Sequence, residues 1–406
     1  MKTSKILIGA LLFLTGTVSC EKKGDDVITP LNLPLKTAEV ITADNSFGFE
    51  LYQKLSADAA SGTNLMISPL SVSQALAMTY NGAAGDTKTA MEEAMRTAGI
   101  DRDELNELNK TLVTALLAHD PKVTLEIANS IWYRNEYTIL EDFVQRNEDY
   151  YDAVVNAMDF TDPGCKDVIN NWVDEKTHGK IDEIVKEIKP ESFMFLINAI
   201  YFKGVWKYEF AKKDTKTMSF TKEDGTSVDV DMMHRKIDVN RLSNDLFTSV
   251  ELPYGEGNWR MFLFLPESGK TLKEVEDQLT SENWNLWMTQ YSEVKELELY
   301  MPRFKFAYEE SLKNSLAAMG MDVAFSDLAD FSGILQGGGL MISDVKHKTF
   351  VEVNEEGTEA AAVTSVEIVL TSIGEFLYCN KPFLFAIAEK SSGTILFLGR
   401  LMNPND

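Results

Sequence analysis

Three observations make the sequence read as one α+β domain. Its 406 residues carry 44% hydrophobic and 25% charged side chains, a composition that supports a sizeable buried core. Segments with helical spacing come first, mixed segments follow, and strand-like segments fill the last third. Between about residue 44 and residue 406, no Pro/Gly-rich linker and no repeat of 20–50 residues divides the chain.

The N-terminus is set apart from that domain. MKTSKILIGALLFLTGTVSC places Lys2 and Lys5 before an apolar run from Ile6 to Leu14, followed by small residues. That is the layout of a secretory signal, and the run is too short to cross a bilayer. Thr17-Val18-Ser19-Cys20 resembles a bacterial lipobox, where cleavage precedes a cysteine that becomes lipidated. The plainer alternative is ordinary signal cleavage beside an incidental cysteine. Residues 1–19 therefore read as a signal peptide, with Cys20 as the lipidation site. Residues 20–43, polar and carrying Pro30 and Pro34, read as a lipidated tether. The folded domain is expected over 44–406, in a protein exported and held to the bacterial outer membrane, on its periplasmic or its outer face.

The elements follow in order. NSFGFELYQKLS (45–56) places Phe47, Leu51 and Leu55 on one helix face. NLMISPLSVSQALAMTYNGA (64–83) turns from a short strand into a helix. Ser68 suits the N-cap, Pro69 the first helical position and Gly82 the end. VTLEIANSIWYR (123–134) alternates as a strand does, and INNWVDEKTHGKIDEIV (169–185) begins as a helix that stops near Gly179. FMFLINAIYFKGVW (193–206) is nearly all apolar and reads as a strand buried on both faces. Asn198 is the exception inside it, and a buried amide needs hydrogen-bond partners. WRMFLFLPE (259–267) and LELYMPRFKF (297–306) read as strands, and EESLKNSLAAMGM (309–321) as a helix. TFVEVNEE, NKPFLFAIAEK and TILFLGRLMNP close the chain as strands.

Charge and motifs narrow the function. A formal net charge of −24 disfavours nucleic acid, which needs a basic surface. Cys20, Cys165 and Cys379 suit neither a disulfide framework nor a zinc site, and His119, His178, His234 and His347 are scattered. There is no HExxH, nucleophile elbow or Walker loop, so no metal, cofactor or enzymatic activity is expected. YGEGNW (254–259) reads as a turn and QGGGL (336–340) as a surface loop.

One stretch stands out, EEGTEAAAVTSVEIVLTS (355–372). After Gly357 it has strand-forming residues and no further Gly or Pro. Side chains alternate faces along a strand. One parity holds Thr358, Ala360, Ala362, Thr364, Val366, Ile368 and Leu370, uncharged and growing from small to bulky. The other holds Glu359, Ala361, Val363, Ser365, Glu367 and Val369, with both charges. This is a segment with one face to bury and one to leave in water. Burying Val366, Ile368 and Leu370 contributes on the order of 5 kcal/mol.

Together the segments resemble the serpin family over roughly residues 45–404. NLMISPLSVSQALAM, INNWVDEKTHGKI, LINAIYFKGVW, YMPRFKF, FSDLADFSGI, DVKHKTFVEVNEEGTEAAA, NKPFLFAI and LFLGRLMNP occur in the family's order. The resemblance implies a single domain with three β-sheets and eight or nine helices. It also implies an exposed reactive-centre loop at about 355–379. A target protease cuts that loop, which then inserts into the large sheet and traps the acyl-enzyme.

Site residues follow from the resemblance. Glu355, Glu356, Gly357, Thr358, Glu359, Ala360, Ala361 and Ala362 form the hinge. Ser68, Ser71, Asn198 and His347 form a polar cluster where the sheet opens. Trp206 marks the start of insertion, and Arg303 is the implied partner of Glu355. Counting seventeen residues from Glu355, as the family does, puts the reactive bond at Thr371–Ser372, with a cut after Leu370 as the alternative. Elastase-like and subtilisin-like serine proteases are the expected partners, and the apolar run also suits papain-like cysteine proteases. A monomer is expected. The alternative function is a non-inhibitory serpin acting as a binding or chaperone-like surface protein.

Overall fold

A computed structural model describes residues 28–190, 192–358 and 375–406. The expectations for Cys20, for Glu359 to Ala362 and for the bond at Leu370, Thr371 and Ser372 lie outside those residues.

The first third is helical, with α1 (Thr37–Asp58), β1 (Leu65–Ile67), α2 (Pro69–Tyr80), α3 (Gly85–Ala94) and α4 (Arg102–Leu117). Mixed elements follow: β2 (Val123–Arg134), α5 (Glu141–Tyr151), β3 (Val154–Met158), α6 (Cys165–Lys176) and β4 (Met194–Gly204). A strand-rich part comes next, with β5 (Lys216–Thr221), β6 (Ser227–Ser243), β7 (Phe247–Tyr254), β8 (Trp259–Pro266), α7 (Leu272–Glu276) and α8 (Ser281–Met288). The chain closes with β9 (Ser292–Pro302), β10 (Phe304–Ser311), α9 (Lys313–Leu316), β11 (Lys346–Val353), β12 (Phe376–Tyr378), β13 (Phe383–Glu389) and β14 (Ile395–Leu401). The described residues thus hold nine α-helices and three hydrogen-bonded sheets, an α+β architecture.

One sheet has nine strands, in the order β1-β14-β13-β8-β7-β6-β9-β12 with β5 beside β6, and it is not the sheet in which insertion is expected, since the hinge residues Gly357 and Thr358 lie between β4 and β11. Every residue of β8, β13 and β14 is buried. These strands are mostly apolar, interrupted by the buried Arg260, Glu389 and Arg400, because both of their faces are covered. The other two sheets are small: β3-β2-β4 and the pair β10-β11.

Local chemistry explains much of this. Ser68 caps α2, its Oγ accepting the Ser71 N–H at 3.3 Å, and Pro69 opens the helix. Four expectations shift. Helix α1 begins at Thr37, because Val40 and Ile41 extend its buried face upstream of Phe47. Residues 37–43, expected to fall in the tether, are therefore helical. Residues 28–36 also touch the body, the Thr29 N–H donating to Asn258 Oδ1 and the Leu31 N–H to Ser391 Oγ. LELYMPRFKF is two strands, broken at Arg303, whose N–H turns aside to Asp231 O. EES belongs to β10, and the following helix spans only Lys313–Leu316 before a wide turn through Gly320 at φ 105°. Finally, β4 is not buried on both faces: Phe193 to Leu196 are half-buried. Among the described residues β4 pairs along its length with β2 alone, so its other edge has no strand beside it.

Candidate functional site

The site lies between β4 and β11. Residues Asn354 to Gly357 reverse the chain at the end of β11, the Asn354 N–H donating to Gly357 O at 2.8 Å. Gly357 and Thr358 lie between the two strands. Gly357 bridges to Val205 and Thr358 bridges to Val353, both antiparallel. The Thr358 N–H donates to Gly204 O at 2.8 Å, and the Trp206 N–H donates to Glu356 O at 2.8 Å. The approach is close enough to demand glycine: a Cβ on Gly357 would lie 2.1 Å from Gly204 O, at φ 149°.

Thr358 is buried, and its hydroxyl meets Tyr254 OH at 2.9 Å. Tyr254 in turn stacks on Trp206, with centroids 4.3 Å apart and planes 11° apart. The Trp206 indole N–H donates to Asn354 O at 2.8 Å, tying the stack to the turn. Burial holds the Tyr254 phenol well above its usual range, so it stays protonated and keeps one O–H for this contact.

The two hinge glutamates are held differently. Glu355 is 1% exposed. Arg303 Nε donates to both of its carboxylate oxygens, at 2.9 and 2.8 Å, and Thr215 Oγ1 adds a third donor. Arg303 also pairs with Asp231 at 3.3 Å, because the break between β9 and β10 leaves its side chain between the two acids. Glu356 is more open and meets Lys212 Nζ at 2.5 Å.

A second polar group lies further down the cleft. The Ser68 N–H donates to His347 Nε2 at 3.1 Å, Ser71 Oγ donates to Asn198 Oδ1, and Asn198 Nδ2 donates to Asn129 Oδ1 at 2.8 Å. Asn129 and Asn198 face each other in the β2–β4 register, and Asn129 Nδ2 continues to Tyr151 O at 2.7 Å. Burial pushes the His347 imidazole down to about 4, so the ring is neutral and accepts from Ser68. The four residues expected to cluster are therefore connected through α2, β4 and β11.

Two voids mark the space between the strands. A small one, about 20 Å³, lies beside Thr358 against Ile200, Phe202 and Phe350. A larger one of about 260 Å³ lies at the start of β4, lined mainly by apolar side chains including Phe193, Phe195, Ile197, Leu340, Ile342 and Val345. Four contributors went unseen in the sequence. Asn129 carried the same signal as Asn198, an amide inside a strand. Tyr254, Lys212 and Thr215 carried none, since their partners are more than a hundred residues away.

Among the described residues, a strand-wide gap between β4 and β11 with the Asn354–Gly357 reversal seated at one end defines the class of this fold. A family model described as "Serpin (serine protease inhibitor)" matches residues 42–404, and the chain belongs to the serpin family. A serpin-like protein of Methanosarcina acetivorans is 34% identical over 90% of this chain and 86% of its own. The native-state crystal structure of tengpin, a thermophilic serpin, superposes with a TM-score of 0.81 at 33% identity, covering 93% of this chain and 96% of that one. Human thyroxine-binding globulin complexed with its hormone superposes at 0.83 with 29% identity, covering 91% and 99%. Serpins are for the most part protease inhibitors rather than enzymes.

Proposed function

We propose that this serpin is a suicide inhibitor of serine proteases. One observation carries the reading: Gly357 and Thr358 already lie between β4 and β11, above a gap that an added strand would fill. In this reading a protease cleaves Thr371–Ser372, the freed loop zips downward from Thr358, and the acyl-enzyme is carried with it. Its uncharged parity supplies side chains for the voids, ending with Val366, Ile368 and Leu370 near the larger one. Each ladder hydrogen bond gained adds roughly 1 kcal/mol net. A small Thr after Ile-Val-Leu suits elastase-like or subtilisin-like enzymes, and the apolar run also suits papain-like cysteine proteases.

Incubation with pancreatic elastase followed by denaturing gels tests the reading. A covalent complex near the summed mass is the expected result, with mass spectrometry placing the cut after Thr371 or Leu370. Complete cleavage without complex would sink it, and a cut near Ala362 would sink the bond assignment.

A non-inhibitory binding role is the second reading, favoured by the likeness to thyroxine-binding globulin, and the same gel separates the two. Export and lipidation at Cys20 belong to the proposal as well. The protein should partition into detergent, and Cys20→Ser should return it to the aqueous phase.

A further inference from the structure

The outer face of β12, β9 and β6 presents an aromatic strip. Their register sets Tyr378 beside Tyr300 and Tyr300 beside His234. The Tyr300 and Tyr378 rings meet edge to face at 5.5 Å, and the His234 ring stacks on Tyr300 at 4.3 Å. One row along, Phe376 stands 69% exposed beside Glu298. The opposite face of these strands is core, with Leu299 and Leu377 buried. Charges on the strip are mixed in sign: Lys236 lies opposite Glu298 in the register and meets Glu296 at 3.2 Å, Glu375 meets Arg241, and Glu298 hydrogen-bonds the His234 ring at 2.6 Å. β12 is the last strand of its sheet, and among the described residues nothing covers Phe376.

We infer that this strip is a docking surface for the body of the protease that cuts the loop, an inference that rests on the function proposed above. Only Ser372, Ile373, Gly374 and Glu375 separate the reactive bond from Phe376. Fully extended, the five steps from Thr371 to Phe376 reach at most about 17 Å. A specific protein interface covers about 800 Å² per partner, roughly 30 Å across. A protease seated at Thr371–Ser372 therefore lies over this face. Exposed aromatic rings held rigid by neighbouring strands lose little freedom on binding and form the anchors of interfaces. The strip's low net charge selects a partner whose primed-side rim is apolar or neutral, in keeping with the uncharged bait.

The test compares wild type with Phe376→Ala in the full-length protein, using pancreatic elastase and subtilisin. The rate read is total loop consumption, covalent complex plus cleaved chain, so it reports on the surface even where no complex forms. A synthetic peptide of residues 364–380 carrying the same change controls for linear recognition. Loop consumption should slow about tenfold in the protein, the size of an aromatic hot spot, and less than about twofold in the peptide. The ratio of complex to cleaved chain should hold, since Phe376 is not in the hinge. An unchanged rate, an equal loss in the peptide, or a loop left uncut by both enzymes would overturn the docking surface. So would a dimer that Phe376→Ala dissolves, which would assign the strip to a second copy. Absence of complex with the rate difference intact would remove the inhibitory reading and leave the surface standing.

Discussion

The nine-stranded sheet and the parted sheet are built from similar residues to opposite ends. β8, β13 and β14 are buried at every position and mostly apolar, with Arg260, Glu389 and Arg400 as buried exceptions. β4 is nearly as apolar, yet its first residues are half-buried and one edge lies open. In the first sheet these central strands are paired on both sides. The second has apolar surface and backbone groups that a further strand would satisfy. Pairing is therefore densest in one sheet, and room for a further strand lies, among the described residues, beside the other.

The sharpest way to break this comparison is Thr358→Arg. A guanidinium would have to be desolvated in a buried slot against Tyr254, where the nearby Glu352 is already shared by Lys180 and Lys305. Complex formation should be lost, at least a hundredfold down, while cleavage of the loop continues; retained complex on the gel would refute the cleft as the path of insertion. Next in size is a pair of truncations. Phe385→Ala, in fully buried β13, should cost about 4 kcal/mol in denaturant unfolding, and Phe195→Ala, in half-buried β4, only about 1 kcal/mol. Equal costs would mean that the two sheets are equally complete.

Glu355→Lys comes third. It replaces a buried ion pair by two adjacent cations, a loss on the order of 3 kcal/mol. Conversion to an inserted or polymeric form on mild heating should speed up tenfold or more, read on native gels, and an unchanged rate would separate the pair from the gate. The smallest effect at neutral pH belongs to His347. Its imidazole ionises near 6.5 when unfolded and at about 4 when folded. Between those values the unfolded chain holds the extra proton. The ring's contribution is therefore complete above about pH 6.5 and is lost as pH falls toward 4, by on the order of 3 kcal/mol. His347→Gln keeps an acceptor for Ser68 and should flatten that pH profile in unfolding titrations between pH 4 and 7.5.

What the sequence disclosed follows from distance along the chain. The cap at Ser68–Pro69 is local, and Asn198 stood out as a lone amide in an apolar strand; both were legible from their own neighbourhoods. Arg303 with Glu355, and Trp206 at the top of the gap, came through the family's blocks and not through any spacing. The break at Arg303 was hidden because apolar alternation continues across it, and only the partners of β9 and β10 show that they belong to different sheets. Tyr254 looked like the edge of a Gly-rich turn, although its hydroxyl closes on Thr358, 104 positions later.

The docked arm at residues 28–36 has a geometric consequence. Thr29 is fastened to Asn258, in the turn whose Gly255 N–H donates to Val205 O, beside the seat of Gly357. The described chain therefore begins at the hinge pole. A surface that grips the molecule by its leading end would hold that pole toward itself and the opposite pole away.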